Sequence, residues 1–244
     1  MNDPTRLIII KRHRLATRLW HWATAVAMFI LIGSGVGILK AHPRLYWGRY
    51  GANFDTAWTT LNQWPGWVVT GLNLITIPAS YNLALSRRWH LFFALVLAFA
   101  LLGFMVVSLI NRHFQRDLRV RAAELSPRVI GHDVREHLAL RFHDSKRPGG
   151  YNILQKLSYV TTIFVLIPVM ILTGLTMSPG MDAAWPWLLE VFGGRQSARS
   201  IHFIAATGLV VFIVVHLALV ILAGAWNEVR SMITGRWTVP EDVA

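Results

Sequence analysis

The sequence predicts an all-α integral membrane protein, a four-helix bundle with a long outer-side insertion between its first and second helices. Three observations lead there. Hydrophobic residues make up 54% of the 244 positions and charged residues only 15%, with a mean hydropathy of +0.45, a composition outside the soluble globular range. Four stretches free of Asp, Glu, Lys and Arg are long enough to cross a hydrocarbon layer of ~30 Å: 19–39, 89–110, 157–177 and 201–226. Lys and Arg gather in alternate connecting segments, as the positive-inside rule describes.

The N-terminal segment carries basic residues ahead of an apolar run, as a signal peptide does. The run from Leu19 to Leu39 is too long for that, and no small-residue cleavage site follows it cleanly, so it reads as a retained first helix. The insertion over 40–88 is the ambiguous part. Within it Trp64–Ser80 is fairly apolar, yet Asn73, several hydroxyl residues, two prolines and two glycines argue against a fifth span. An amphipathic or hairpin-like element at the outer surface, rich in Trp and Tyr, is expected instead. After the second span comes the loop 111–150, with Arg112, Arg116, Arg119, Arg121, Arg128, Arg135, Arg141, Lys146 and Arg147. The positive-inside rule puts this loop and both termini in the cytoplasm. The segments 40–88 and 178–199 then face outward, from the inner membrane of a bacterium. The whole chain, 1–244, reads as a single membrane domain.

Cysteine is absent. Disulfides, Cys-ligated iron-sulfur clusters, zinc-thiolate sites and covalent haem attachment are thereby excluded within the chain. The formal charge of +12 is explained by basic residues flanking apolar spans rather than by nucleic-acid binding.

Four histidines carry the functional signal: His21 and His90 at the heads of the first and second spans, and His202 and His216 in the fourth. An imidazole inside a bilayer segment is costly enough to imply a role. Fourteen residues at ~100° each return to within about 40° of whole turns, so His202 and His216 share one helix face about 21 Å apart along the axis. The topology sorts the four by depth, His90 with His202 near the outer face and His21 with His216 near the cytoplasmic face. Facing imidazoles with no Cys and no carboxylate in the spans match bis-histidine ligation of two b-type haems inside a bundle. Two ligands per level fall short of a closed zinc site. His13, His113, His132, His137, His143 and His42 lie in polar segments and read as solvated.

Gly33, Gly35, Gly37, Gly103, Gly174, Gly208 and Gly224 suit either a flat macrocycle approaching the backbone or close helix packing. Arg18 near His21, Arg88 beside His90 and Arg199 near His202 are placed to meet haem propionates. Snorkelling to headgroups explains these arginines equally.

With these residues in hand, the chain resembles the dihaem cytochrome b subunits that anchor formate dehydrogenases, nickel-iron hydrogenases and thiosulfate reductases. The motifs that carry the likeness are Arg18-Leu-Trp-His21-Trp, Arg88-Trp-His90 and the His202 to His216 spacing. Ala41-His-Pro-Arg-Leu-Tyr-Trp47 and Leu175-Thr-Met-Ser-Pro-Gly-Met-Asp182 look closest to the thiosulfate reductase branch. The resemblance implies two haems held by the same four histidines, and electron transfer between a quinone and a periplasmic redox partner, of the kind of a molybdopterin oxidoreductase of sulfite-oxidase type. It also implies that Asn152, Gln155 and Lys156, in an Asn-x-x-Gln-Lys element, contact the quinone. A polar helix start with no ligand is the plainer alternative. The outer insertion is longer than in formate dehydrogenase subunits, so the partner is not carried over; the insertion and Trp185–Arg199 are the expected docking surface.

The sequence thus reads as an electron-transfer subunit rather than a catalyst by itself, since no Ser-His-Asp set, P-loop or HExxH is present. Two rivals remain: a histidine-based proton or metal transporter, against which the absence of carboxylates in the spans argues, and a haem-free membrane anchor.

Overall fold

The computed structural model describes residues 7–52, 54–139 and 151–240. In chain order the elements are β1 (Leu7–Lys11), α1 (Leu15–Ala41), β2 (Arg44–Leu45), β3 (Thr59–Thr60), α2 (Gly66–Ile75), α3 (Leu83–Ile110), α4 (Pro127–Leu138), α5 (Ile153–Thr161), α6 (Ile167–Thr176), α7 (Pro179–Ala184), α8 (Pro186–Val191), α9 (Arg195–Leu222), α10 (Ala225–Thr234) and β4 (Arg236–Pro240). Four helical stretches are long and apolar enough to cross a membrane: α1, α3, the continuous run Ile153–Thr176 and α9. The fold is an all-α integral membrane fold, as the composition predicts.

The helix boundaries have local causes. Pro43 follows α1 and disfavours helical geometry in the residue before it. Asn82 opens α3 by accepting from the Leu85 N–H at 2.9 Å. Pro168 lacks the N–H that would bond the Phe164 carbonyl, and the turn just before it, Thr162–Leu166, widens to π geometry between α5 and α6. The fourth span differs from the sequence reading at its end, stopping at Leu222 rather than Trp226. There Gly224, at φ +100°, breaks the helix and α10 begins in a new direction.

Two compact units divide the chain. The first contains the described parts of Met1–Trp22, Leu101–Ile163 and Val211–Ala244. In it β1 pairs antiparallel with β4, Ile9 opposite Thr238. This sheet was not anticipated from the sequence, although the Leu7-Ile-Ile-Ile run has the β-branched character of a strand. Arg12 ties the sheet to α10 through Glu228, at 2.7 Å and with both side chains largely buried, and its guanidinium lies 4.4 Å from the centre of the Trp237 ring. The loop after α3 holds a π turn at Phe114–Leu118, a 3₁₀ turn at Ala122–Leu125 and α4. Arg141, His143, Lys146 and Arg147 lie outside the described residues.

The second unit contains Ala23–Ala100, with residue 53 undescribed, and Phe164–Val210. Here the ambiguous segment of the insertion resolves into α2, at ten residues too short to span. Its C-terminal end packs on α1. A Cβ added at Gly33 would fall 2.6 Å from the Ile75 carbonyl oxygen and 2.4 Å from Ile77 Cγ1, so only glycine admits this approach. The loop around β2 and β3 is tied to the start of α9. Gly48 carbonyl accepts from the Gln196 and Ser197 N–H groups at 3.1 Å, Trp58 Nε1 donates to Ser200 Oγ at 2.9 Å, and Arg49 pairs with Glu190 on α8.

Candidate functional site

Each unit brings two of the four singled-out histidines face to face. In the second unit His90 on α3 and His202 on α9 have ring centroids 6.1 Å apart, inclined by 60°. In the first, His21 on α1 and His216 on α9 stand 6.3 Å apart, inclined by 56°. Two imidazoles sharing one metal ion, each bonded at about 2 Å with its ring centre about 1 Å behind the nitrogen, would have centroids about 6 Å apart. Both pairs meet that requirement.

The two pairs are held differently. His90 Nδ1 lies 3.1 Å from Ser34 Oγ on α1, and His202 Nδ1 lies 2.9 Å from Thr173 Oγ1 on α6. Both hydroxyl residues are fully buried. Each is followed by a glycine beside the same imidazole: an added Cβ would stand 3.3 Å from His90 Cε1 at Gly35 and 3.6 Å from His202 Cε1 at Gly174. In the His21–His216 pair the imidazoles are braced by aromatic rings. Phe212, one turn before His216, stacks on it at 5.7 Å and 14°, and Trp22 meets His21 edge-on at 5.2 Å. His21 Nδ1 is buried with no hydrogen-bond partner, as is Trp20 Nε1.

These features separate the glycines that the sequence left ambiguous. Gly35 and Gly174 border the imidazoles. Gly33 and Gly37 serve close packing, against Ile77 and Ser86 respectively, and Gly208 touches Leu166. The sequence reading missed Ser34 and Thr173, although the repeated hydroxyl-glycine dipeptide in two apolar spans was a signal available to it.

The arginines take structural partners. Arg18 donates to the Ile233 carbonyl in the last turn of α10, where a cation offsets the helix dipole. Arg199 donates to the His42 carbonyl beyond the end of α1. Arg88 is exposed. Asn152 and Gln155 form a reciprocal capping box at the start of α5, with Asn152 Oδ1 accepting from Gln155 N at 2.9 Å. Lys156 donates to Glu124 Oε1 at 2.7 Å, and the Asp133 carboxylate accepts from Ile153 N at 2.9 Å. The carboxyl of Glu124 is raised by burial but pulled down further by the Lys156 hydrogen bond and the Arg121 N–H, and sits below its ordinary value. His13, expected to be solvated, is instead buried beside Arg12, and burial first and that cation second lower its pKa to about 4.

The residues present fit a porphyrin iron. In each pair the two imidazoles would hold the iron, glycines clear the backbone beside one pair, and His21 Nδ1, buried without a hydrogen-bond partner, sits in the other. Among the described residues no group of three or more His, Asp or Glu side chains is arranged to hold a metal ion.

Comparison with known proteins agrees with this chemistry. The sequence profile of the prokaryotic cytochrome b561 family matches residues 12–235. A protein of Azospira oryzae named as a protein-methionine-sulfoxide reductase subunit, YedZ1, is 29% identical over 213 residues, covering 84% of this chain and 87% of that one. Proteins named as the B-type cytochrome subunit of Ni/Fe-hydrogenase are similar as well. The one from Azotobacter vinelandii is 25% identical over 92% of this chain and 86% of its own length. The one from Cupriavidus necator is 23% identical over 89% and 82%. With four membrane-length helices and two imidazole pairs already in place, the match over most of the chain shows that it belongs to the prokaryotic cytochrome b561 family, as a b-type haem-binding membrane subunit for electron transfer in an oxidoreductase system.

Proposed function

We propose that the chain is a dihaem cytochrome b that carries electrons across the bacterial inner membrane, between a quinone on the cytoplasmic side and a redox protein outside. The observation that supports it best is the pair of imidazole contacts at 6.1 and 6.3 Å. His90 and His202 hold one haem, and His21 and His216 the other. Bound there, b-type haem supplies one-electron oxidation and reduction at its iron. The protein's part is to fix the two ligands of each centre in apolar surroundings.

The excess of Lys and Arg in the segments next to His21 and His216 supports a cytoplasmic position for that pair and for both termini. His90 and His202 then lie toward the outside, beneath the loop tied to α9 by Trp58 and Ser200. We assign docking of the partner to that side, on the insertion and Trp185–Arg199. A molybdopterin oxidoreductase of sulfite-oxidase type is the partner proposed; the likeness to a protein named as a methionine-sulfoxide reductase subunit accords with a partner that reduces or oxidises a sulfur centre. Asn152, Gln155 and Lys156 are proposed quinone contacts. Binding there requires a quinone carbonyl to take over a donor now used within the protein, such as the Lys156 ammonium held by Glu124.

Absorption spectra of the purified chain, oxidised and then dithionite-reduced, combined with haem quantification per polypeptide, test the reading. Two b-type haems per chain are expected. Replacing His216 with Ala is expected to remove about half of the haem and leave the other half six-coordinate. A colourless protein, or full haem retention in that variant, defeats the assignment.

A further inference from the structure

We propose that Ser34 and Thr173 are positioning residues that lock His90 and His202 into one tautomer and lower the reduction potential of the haem between them. The inference rests on the dihaem reading above.

The tautomer follows from counting protons. A hydroxyl carries one hydrogen. Ser34 Oγ lies 2.7 Å from the Ile30 carbonyl oxygen and 3.3 Å from that of Leu31. Thr173 Oγ1 lies 2.6 Å from the Val169 oxygen and 3.3 Å from that of Met170. Carbonyl oxygens only accept, so each hydroxyl's hydrogen is directed back to its own helix. Toward the imidazole the oxygen has only lone pairs to offer, and the Leu31 and Met170 carbonyls, which also hydrogen-bond His90 and His202, can likewise only accept; both contacts are satisfied when the ring N–H beside the hydroxyl is the donor, shared between the two acceptors. A neutral imidazole with its proton on Nδ1 keeps its lone pair on Nε2 alone. Both rings of this pair thus present one nitrogen, Nε2, for ligation.

The device occurs twice, on different helices. Ser34-Gly35 on α1 serves His90 on α3, and Thr173-Gly174 on α6 serves His202 on α9. In each, the hydroxyl orients the ring and the following glycine leaves space beside it. Its occurrence at both ligands of one pair argues against a chance contact. The other pair lacks it: His21 Nδ1 has no hydrogen-bond partner, and His216 is fixed by Phe212.

An acceptor on Nδ1–H makes the imidazole a stronger donor through Nε2, which stabilises the ferric over the ferrous state. The two hydroxyls thereby hold down the potential of the His90–His202 centre and leave the His21–His216 centre to its own surroundings. Two haems with the same nominal ligands become distinguishable through side chains that touch neither iron.

The test is a potentiometric titration of the full chain in detergent, with haem quantified in parallel, for Ser34→Ala, Thr173→Val, the double variant and the hydroxyl-retaining Ser34→Thr and Thr173→Ser. The expected result is two haems per chain throughout, one component shifted to higher potential in each hydroxyl-free variant and further in the double. The second component stays fixed, and the hydroxyl-retaining variants return toward the parent value. No shift, or an equal shift of both components with haem intact, overturns the proposal. Should the hydroxyl-free variants lose haem, the hydroxyl-retaining ones must keep it; loss in those as well overturns the proposal. A parent chain with fewer than two haems defeats the dihaem reading and takes this assignment with it, whereas two haems without a potential shift defeat only the role of the hydroxyls.

Discussion

Lys156 donates to Glu124 across 2.7 Å, joining the first turn of α5 to the 3₁₀ turn that precedes α4. Glu124 is 26% exposed, so water reaches its carboxylate and the pair contributes about 1 kcal/mol rather than the several of a fully buried bridge. Because the Glu124 carboxyl titrates below its ordinary value, the contribution is present at neutral pH and is lost as pH falls through that depressed value. Glu124→Gln and Lys156→Met are expected to lower thermal stability similarly at pH 7. Their double variant should fall short of the sum, because the second change removes an interaction already gone. Strict additivity in a double-mutant cycle would show the contact to be inert.

Arg12 and Glu228 are a different case, with side chains only 9% and 15% exposed. Removing one charge strands the other in a poorly solvated place, at a cost of about 3 kcal/mol. Glu228→Gln is expected to loosen the β1–β4 sheet and expose both chain ends to limited proteolysis. Replacing both members with apolar residues should recover much of the lost stability. Unchanged proteolysis in the single variant would count against the bridge as the anchor of this sheet.

His13 sets a pH dependence at the same end. Its pKa of about 4, against 6.5 for the unperturbed group, means that the unfolded chain takes up the proton first as pH falls. Stability conferred by the neutral ring is full above about pH 6.5 and declines toward pH 4, by up to about 3 kcal/mol. Thermal inactivation followed from pH 7.5 to 5 is expected to steepen below 6.5 in the parent and to flatten in His13→Gln. Equal slopes would place the sensitivity elsewhere.

The glycines of the second unit predict a graded series. Gly174→Ala brings its Cβ to an ordinary 3.6 Å from His202 and is expected to be tolerated, whereas at Gly35 the corresponding 3.3 Å is tight. On the dihaem proposal, valine at Gly35 is expected to displace the haem proposed between His90 and His202 and to spare the other. Gly33→Ala meets a backbone oxygen at 2.6 Å, which cannot swing aside, so the loss there is of folded protein rather than of one haem. Haem per chain, together with size-exclusion profiles, separates these outcomes; equal haem loss at Gly33 and Gly35 would contradict the division of roles.

Much of the fold is legible in the sequence because a bilayer imposes a simple rule. Every backbone polar group must be satisfied within its own helix, so long uncharged runs become spans whatever their neighbours. The four histidines are legible for a related reason, since an imidazole stands out in an apolar run. The limits of legibility are equally physical. The end of α9 turns on the left-handed conformation at Gly224, and the β1–β4 sheet joins residues more than two hundred positions apart, which no local pattern encodes. Asn152 and Gln155 cap α5 locally, but the engagement of Lys156 by Glu124 and of the Ile153 N–H by Asp133 depends on the preceding turn and α4 folding back on α5.

By itself, then, the sequence determined how many helices are long and apolar enough to cross a membrane and which imidazoles lie in them, because hydropathy and spacing along a helix are one-dimensional properties. Which hydroxyls lie beside the rings of His90 and His202 and which glycines border them were decided only by tertiary structure. Those depend on distances between helices, and a few tenths of an ångström there separate a hydrogen bond from a mere neighbour.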